Sequence, residues 1–291
     1  MELRLFESSH PNVIAKTDFD NLVGIDEQKK ELLNTLHLLC DEKLIAKWHK
    51  KYHHSKLKFI EKITSGMPLI ILCGDVGCGK TVLANCIASP LAELLDKRIL
   101  CFETPSNIRG SGKVGEISER ITNAFEQVKG KLGKENHGIL IIDEADDLAT
   151  SREQNQAHHE DRSGLNVLLK QIDLITKEGY KLTVILITNR IKVLDPAIIR
   201  RASQTITFTR PDAKTRKTVF KHLFAGADLS DADLTELVSA SSQKECPYSF
   251  SDLIQKVAKQ TIFKAISEDK PFSKDLYIEV MKTVLPSPLI Q

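Results

Sequence analysis

The 291-residue chain reads as an α/β protein, a five-stranded parallel sheet with helices on both faces, followed by a small helical region. Three observations carry this expectation. Apolar runs of strand length alternate with helically spaced apolar stripes through the middle of the chain. A glycine-rich loop joins the first such run to the first such stripe. Beyond Arg210-Pro211-Asp212 the runs stop and only helical stripes remain.

Residues 1–19 are mixed in character and read as an arm. Gly24 to Leu39 reads as a turn and a helix, with Leu32, Leu33, Leu36 and Leu39 on one face. Lys43 to Lys62 is basic and rich in His. It fits a solvated helical face plus loop, or a patch for a partner or for phosphate. His53 and His54 diverge as helix neighbours and make a poor metal pair. Pro68–Cys73 is the first strand, and Val82, Leu83, Cys86 and Ile87 mark the helix after the glycine-rich loop. Arg98–Phe102 is the second strand; Ile117, Ile121, Ala124, Phe125 and Val128 are the next helical stripe. Gly138–Ile142 is a strand buried on both faces. Leu165, Leu168, Leu169, Ile172 and Ile175 form a further helix, Leu182–Ile187 a strand, and Thr205–Phe208 a fifth. The last helices are marked by Val219, Phe220, Leu223 and Phe224, by Leu234, Leu237 and Val238, by Leu253, Ile254, Val257 and Ala258, and by Tyr277, Ile278, Val280 and Met281. The implied organisation is an arm (1–19), a large α/β domain (20–210) and a small helical lid (211–291).

The loop Gly74-Asp75-Val76-Gly77-Cys78-Gly79-Lys80-Thr81 fits G-x-x-x-x-G-K-[ST]. Glycines let backbone N–H groups converge on phosphate oxygens without a Cβ in the way. Lys80 has the reach for β- and γ-phosphates, and the Thr81 hydroxyl suits Mg²⁺. The following helix points its N-terminus at the anion. The strand before the loop and the helix after it are the context that the motif requires. Further on, Ile139-Leu140-Ile141-Ile142 ends in Asp143-Glu144, two carboxylates at the edge where open α/β sheets bind ligands. Asp143 is then a candidate for Mg²⁺, directly or through water, and Glu144 for polarising the water that attacks the γ-phosphate. ATP and Mg²⁺ are the expected cofactors.

Composition excludes little. Hydrophobic residues make 41% of the chain, charged residues 27%, and the net charge is +2, which neither demands nor forbids nucleic acid. The N-terminal residues lack the apolar core of a signal peptide, and no run approaches the ~18 apolar residues of a membrane span. Cys40, Cys73, Cys78, Cys86, Cys101 and Cys246 form no C-x-x-C pair and suit a reducing cytosol. Cys73, Cys86 and Cys101 belong to apolar runs. Cys78 lies in the loop, either as an inert small residue or as an oxidation-sensitive thiol.

A mononucleotide-binding domain with a helical lid resembles the AAA+ ATPases, and more residues agree. Val23-Gly24-Ile25 resembles the family's segment beside the adenine. Thr188-Asn189-Arg190 matches its sensor-one position, which makes Asn189 a partner for the γ-phosphate or the attacking water. Leu194-Asp195-Pro196-Ala197-Ile198-Ile199-Arg200-Arg201 resembles the segment whose arginine enters the neighbouring subunit's site, so Arg200 or Arg201 is the finger. Gly112 to Arg120 resembles the substrate-gripping pore loop, with Lys113, Val114 and Gly115 at its tip and no aromatic there; 151–162 would be a second such loop. Ser249–Leu253 aligns with the sensor-two segment but has no arginine. The run Ile199-Arg200-Arg201-Ala202-Ser203, followed by Gln204-Thr205-Ile206, resembles the pachytene-checkpoint remodellers of HORMA-domain proteins, an alignment that favours Arg201 over Arg200 as the finger and keeps both as candidates. The short N-terminal arm points to a bacterial form from cyclic-oligonucleotide antiphage (CBASS) systems. The resemblance implies a homohexamer that uses ATP to unfold or disassemble a polypeptide, a HORMA-domain protein, in the cytoplasm, with no direct nucleic-acid or membrane partner. Two alternatives stand beside it: a nucleic-acid-associated loader, favoured by the basic segment, and a nucleotide-switched scaffold, disfavoured by the Asp143-Glu144 pair.

Overall fold

The computed structural model describes residues 3–55, 57–58, 60, 67–105, 115–147, 159–227, 229–242 and 245–289. The chain divides into two compact units. One comprises Met1–Asp20, Glu27–Cys73 and Thr81–Thr207; the other comprises Asn21–Asp26, Gly74–Lys80 and Phe208–Gln291. Most of the glycine-rich loop thus groups with the C-terminal helices.

The sheet has six strands: β1 (Phe6–His10), β2 (Leu69–Gly74), β3 (Ile99–Glu103), β4 (His137–Ile142), β5 (Lys181–Thr188) and β6 (Gln204–Phe208), in the order β1-β3-β4-β5-β2-β6. β3, β4, β5 and β2 are parallel neighbours. The five expected strands are present, and the sixth comes from the segment read as an arm. β1 pairs antiparallel with β3, Phe6 opposite Glu103 and His10 opposite Ile99. Its first four residues are exposed, as an edge strand allows, so no apolar alternation announces it. His10 is buried, with Nδ1 2.7 Å from Ser89 Oγ.

β4 is buried along its length, and β2 along all but its last residue. The strands are covered by α4 (Lys80–Cys86), α5 (Ala88–Leu95), α6 (Glu116–Leu132) and α7 (His159–Glu178); α1 (Val13–Asn21), α2 (Asp26–Cys40) and α3 (Glu42–Tyr52) come before them in the chain. The stripe Ile117, Ile121, Ala124, Phe125 and Val128 of α6 packs in one core with Leu165, Leu168, Ile172 and Ile175 of α7. Burying each of the Ile, Leu, Val and Phe side chains here is worth about 1.5–3 kcal/mol. Cys73, Cys86 and Cys101 are buried here as small core residues.

In the C-terminal unit follow α9 (Ala213–Leu223), α10 (Asp231–Ala240), a π-helical turn (Asp252–Val257) running into α11 (Ala258–Ser267), and α12 (Lys274–Thr283); α8 (Pro196–Arg201) precedes β6. Side-chain caps set the starts. Asp212 accepts from Thr215 N, Ser230 and Asp233 form a capping box, and Ser273 accepts from Leu276 N. Phe220, Phe224 and Tyr277 meet edge-on in the core of this unit, and the Tyr277 hydroxyl donates to Leu253 O at 3.0 Å.

Candidate active site

In the C-terminal unit the loop folds as a cradle. Lys80 is buried, and its Nζ donates to the carbonyls of Gly74 (2.8 Å) and Asp75 (2.6 Å), spanning the loop. Gly77 has φ +72°, and a Cβ on it would stand 2.7 Å from Ser249 Oγ. Only glycine meets both demands. The Gly77 carbonyl accepts from Ser251 N at 2.9 Å. Gly24 is equally confined: at φ +84° its Cβ would meet Thr215 Cγ2 at 2.7 Å and Phe250 Cε1 at 2.8 Å. Val23 beside it is half-buried. Cys78 is buried, and burial pushes its thiol up to about 11, with Lys80 opposing, which suits an inert small residue.

The backbone of Ser249–Leu253, the stretch that resembles sensor two, meets the loop through Ser251. What fixes that backbone is Asp252, fully buried. It accepts from Ser249 N (3.0 Å), Ser249 Oγ (2.9 Å) and Ser287 N (3.1 Å) at Oδ2, and from Ser287 Oγ (2.7 Å) and Lys256 Nζ (2.7 Å) at Oδ1. Burial opposes its charge, but Lys256 and the serine donors outweigh burial and hold the carboxyl well below the usual range. These serines and Asp252 were not singled out as functional in the sequence; the only signal was the alignment with the sensor-two segment.

In the other unit, the loop's last residue begins its own network. Thr81 Oγ1, in the first turn of α4, donates to Asp143 Oδ2 at 2.7 Å. Asp143 Oδ1 accepts from Glu144 N at 2.7 Å. Glu144 holds φ +52°, a conformation that costs a non-glycine residue about 1–3 kcal/mol. Its side chain is exposed. The register aligns the strand ends: Ile142 lies opposite Leu186, and Thr188 opposite Cys73. Asp143, Glu144 and Asn189 therefore leave the sheet at its carboxyl edge. The converging Thr81 and Asp143 oxygens are hard donors of the kind that hold Mg²⁺, with water completing the shell. Glu103, at the end of β3, was not marked in the sequence. Burial first, and the charge of Asp143 second, raise its carboxyl above the ordinary value, while Asn85 opposes.

Asn189 is half-buried and flanked by two residues tied to one acid. Asp146, itself buried, accepts from Thr188 Oγ1 (2.9 Å) and from Arg190 Nε (2.8 Å) and Nη2 (2.7 Å). Arg190 N in turn donates to Thr188 Oγ1 at 2.9 Å. The partners of Asp146 lie at and just past the end of β5, far away in the sequence, and no local pattern reveals them.

Arg200 and Arg201 end the six-residue helix α8. Asp195 caps it, accepting from Ala197 N at 2.7 Å, and Pro196 opens it. Arg200 is exposed. Arg201 is half-buried and lines a groove with Lys170, Asp173 and Lys177 of α7. Of the pore-loop residues, Lys113 and Val114 lie outside the described residues, as do 151–158 of the second loop. Gly115 is described and precedes α6 at φ +82°. In the basic segment, α3 leaves Lys43, Lys47, Lys50 and Lys51 exposed together with Trp48 and Tyr52.

A G-x-x-x-x-G-K-T loop between a parallel strand and a helix, together with acids at the ends of parallel strands, is the signature of a nucleoside-triphosphate-binding α/β protein. The family model for the ATPase family associated with various cellular activities (AAA) matches residues 70–210. The chain belongs to this AAA family. It is 38% identical over 272 residues to CD-NTase-associated protein 6 of Escherichia coli (strain KTE188), covering 92% of this chain and 91% of that one. A chain in the structure of the E. coli MS115-1 HORMA:CdnC:Trip13 complex superposes with a TM-score of 0.91 at 33% identity, over 99% of this chain and 98% of that one. The structure of Rhizobiales Trip13 gives a TM-score of 0.76 at 28% identity, over 97% and 98%. Among the described residues no helix is long and apolar enough to cross a membrane.

Proposed function

We propose that this AAA ATPase couples ATP hydrolysis to the unfolding or disassembly of a HORMA-domain protein in a bacterial antiphage signalling system, acting as a homohexameric ring. The observation that carries the substrate reading is the near full-length likeness to a chain from a HORMA:CdnC:Trip13 complex. The chemistry rests on the Thr81–Asp143 contact and the neighbouring Glu144.

Residues 74–80 bind the phosphates, with Lys80 supplying positive charge against them. Val23 and Gly24 lie against the base. Thr81 and Asp143 would hold Mg²⁺, which would supply positive charge against the phosphates. Glu144 takes the proton of the attacking water, and its exposed carboxylate on a strained backbone suits that task. Asn189 orients the water or the γ-phosphate. Arg201, with Arg200 as the alternative, completes the site of the adjacent subunit. Lys113, Val114 and Gly115 grip the polypeptide.

The test is steady-state ATPase rate against protein concentration, with mass photometry, for wild type and Arg201→Ala, Glu144→Gln and Lys80→Ala. The expected outcome is activation that tracks hexamer formation and disappears in Arg201→Ala. Glu144→Gln keeps ATP binding and loses turnover, and Lys80→Ala loses binding. Wild-type turnover should rise with a HORMA-domain protein. Stimulation by DNA with a steep salt dependence, and none by that protein, would replace this reading with a nucleic-acid loader. Concentration-independent wild-type activity that neither Arg201→Ala nor Arg200→Ala diminishes would remove the ring.

A further inference from the structure

Asp75 places a carboxylate at the second position of a loop whose task is to receive anions. Unopposed, it would repel them. Its side chain is 22% exposed, and its Oδ2 lies 3.4 Å from Arg210 Nε. The Arg210 side chain is 4% exposed, a guanidinium almost fully withdrawn from water. Its other nitrogens are held: Nη1 donates to Pro247 O and to Cys246 Sγ (3.1 Å), and Nη2 to Pro288 O (3.0 Å). Nε is buried and makes no aligned hydrogen bond. Among the described residues, Asp75 is the only carboxylate within ion-pair distance of Arg210. A buried guanidinium needs a counter-charge, and here the phosphate loop supplies it. Both charges reach into the loop, where they act in opposite senses on Cys78.

We propose that Arg210 sets the charge that the loop presents to the nucleotide's phosphates: anchored at Cys246-Pro247 and Pro288, it neutralises Asp75 so that this carboxylate does not repel them. The proposal rests on the reading of 74–81 as the nucleotide site.

The two charges give an ordering that a packing role would not. Relative to wild type, Asp75→Asn makes the loop one unit more positive, Arg210→Gln makes it one unit more negative, and the double variant restores the balance. Binding of a methylanthraniloyl-labelled ATP with Mg²⁺ is measured for all four full-length proteins. Asp75→Asn should bind about three- to tenfold tighter than wild type and Arg210→Gln about three- to tenfold weaker, with the double variant near wild type. The spread should narrow at high salt. If the contact is only structural, both single variants weaken and the double variant is no better; that result overturns the proposal. Thermal melts without nucleotide check folding. Should Arg210→Gln not fold, Asp75→Asn decides alone: tighter binding upholds the proposal, weaker binding refutes it. Failure of wild type itself to bind the probe would instead remove the nucleotide reading on which this rests.

Discussion

Replacing Asp146 by Asn removes the charge that organises the end of β5 while keeping the shape of the side chain. The cost follows from its partners. Two bonds come from Arg190 and one from Thr188, at 2.7–2.9 Å. A hydrogen bond to a charged group is worth about 1.5–3 kcal/mol when shielded. The Arg190 side chain is 45% exposed, so water replaces much of what it loses, and its share is discounted heavily. The amide oxygen of Asn still accepts from Thr188. The net loss of stability should be about 1–2 kcal/mol, read from urea unfolding. The effect on turnover should be larger if Asn189 orients the water or the γ-phosphate as proposed, because Asn189 sits between the two tethered residues, and a displacement of about 1 Å at a reacting centre costs up to about 10²-fold. Asp146→Asn should lower kcat about ten- to a hundredfold with KM changed by less than about threefold. Arg190→Gln should reproduce this, and the double variant should be little worse than either single one, since both break one network. Full additivity in the double variant, or an unchanged kcat in a destabilised Asp146→Asn, would refute the claim that the network positions Asn189.

Two further outcomes test the neighbouring geometry. Glu103 has a raised carboxyl, so its ionised form burdens the fold; this part of stability is fully present below the ordinary value of 4.5 and is lost as pH rises through the raised folded value. Glu103→Gln should therefore melt higher than wild type at neutral pH, with the gain vanishing in melts below pH 4.5, and a lower melting temperature at neutral pH would contradict the assignment. Asp195→Ala removes the cap of α8 and should cost about 1 kcal/mol in urea unfolding. Because α8 carries Arg200 and Arg201, proposed above as finger residues, concentration-dependent activation should also weaken, and an undiminished activation curve would separate the cap from that proposed role.

The parts legible in the sequence are those where chemistry restricts residue type at fixed spacing. Residues 74–81 and the strand ending in Asp143-Glu144 are of this kind, and the buried parallel strands announce themselves as unbroken apolar runs. β1 was illegible for the opposite reason: Phe-Glu-Ser-Ser-His has no alternation to read, and its pairing is dictated by the free edge of β3. The π-helical turn at Asp252–Val257 was hidden because helical apolar spacing looks much the same through one widened turn. The partners of Asp146 and Asp75 lie 44 and 135 residues away, as Arg190−Asp146 and Arg210−Asp75, and long-range ion pairs leave no local trace.

β1 also settles what the sheet does with its outer border. Ile99–Glu103 is an apolar strand whose outer hydrogen-bonding groups are taken up by Phe6–His10, and the residues that face outward on β1 are polar or exposed. Without those first ten residues, β3 would offer an unpaired, sticky ladder to any other strand, including that of a second copy. The N-terminal strand thus replaces an apolar edge with a polar one, and removing Phe6–His10 is expected to raise the tendency of copies to pair edge to edge.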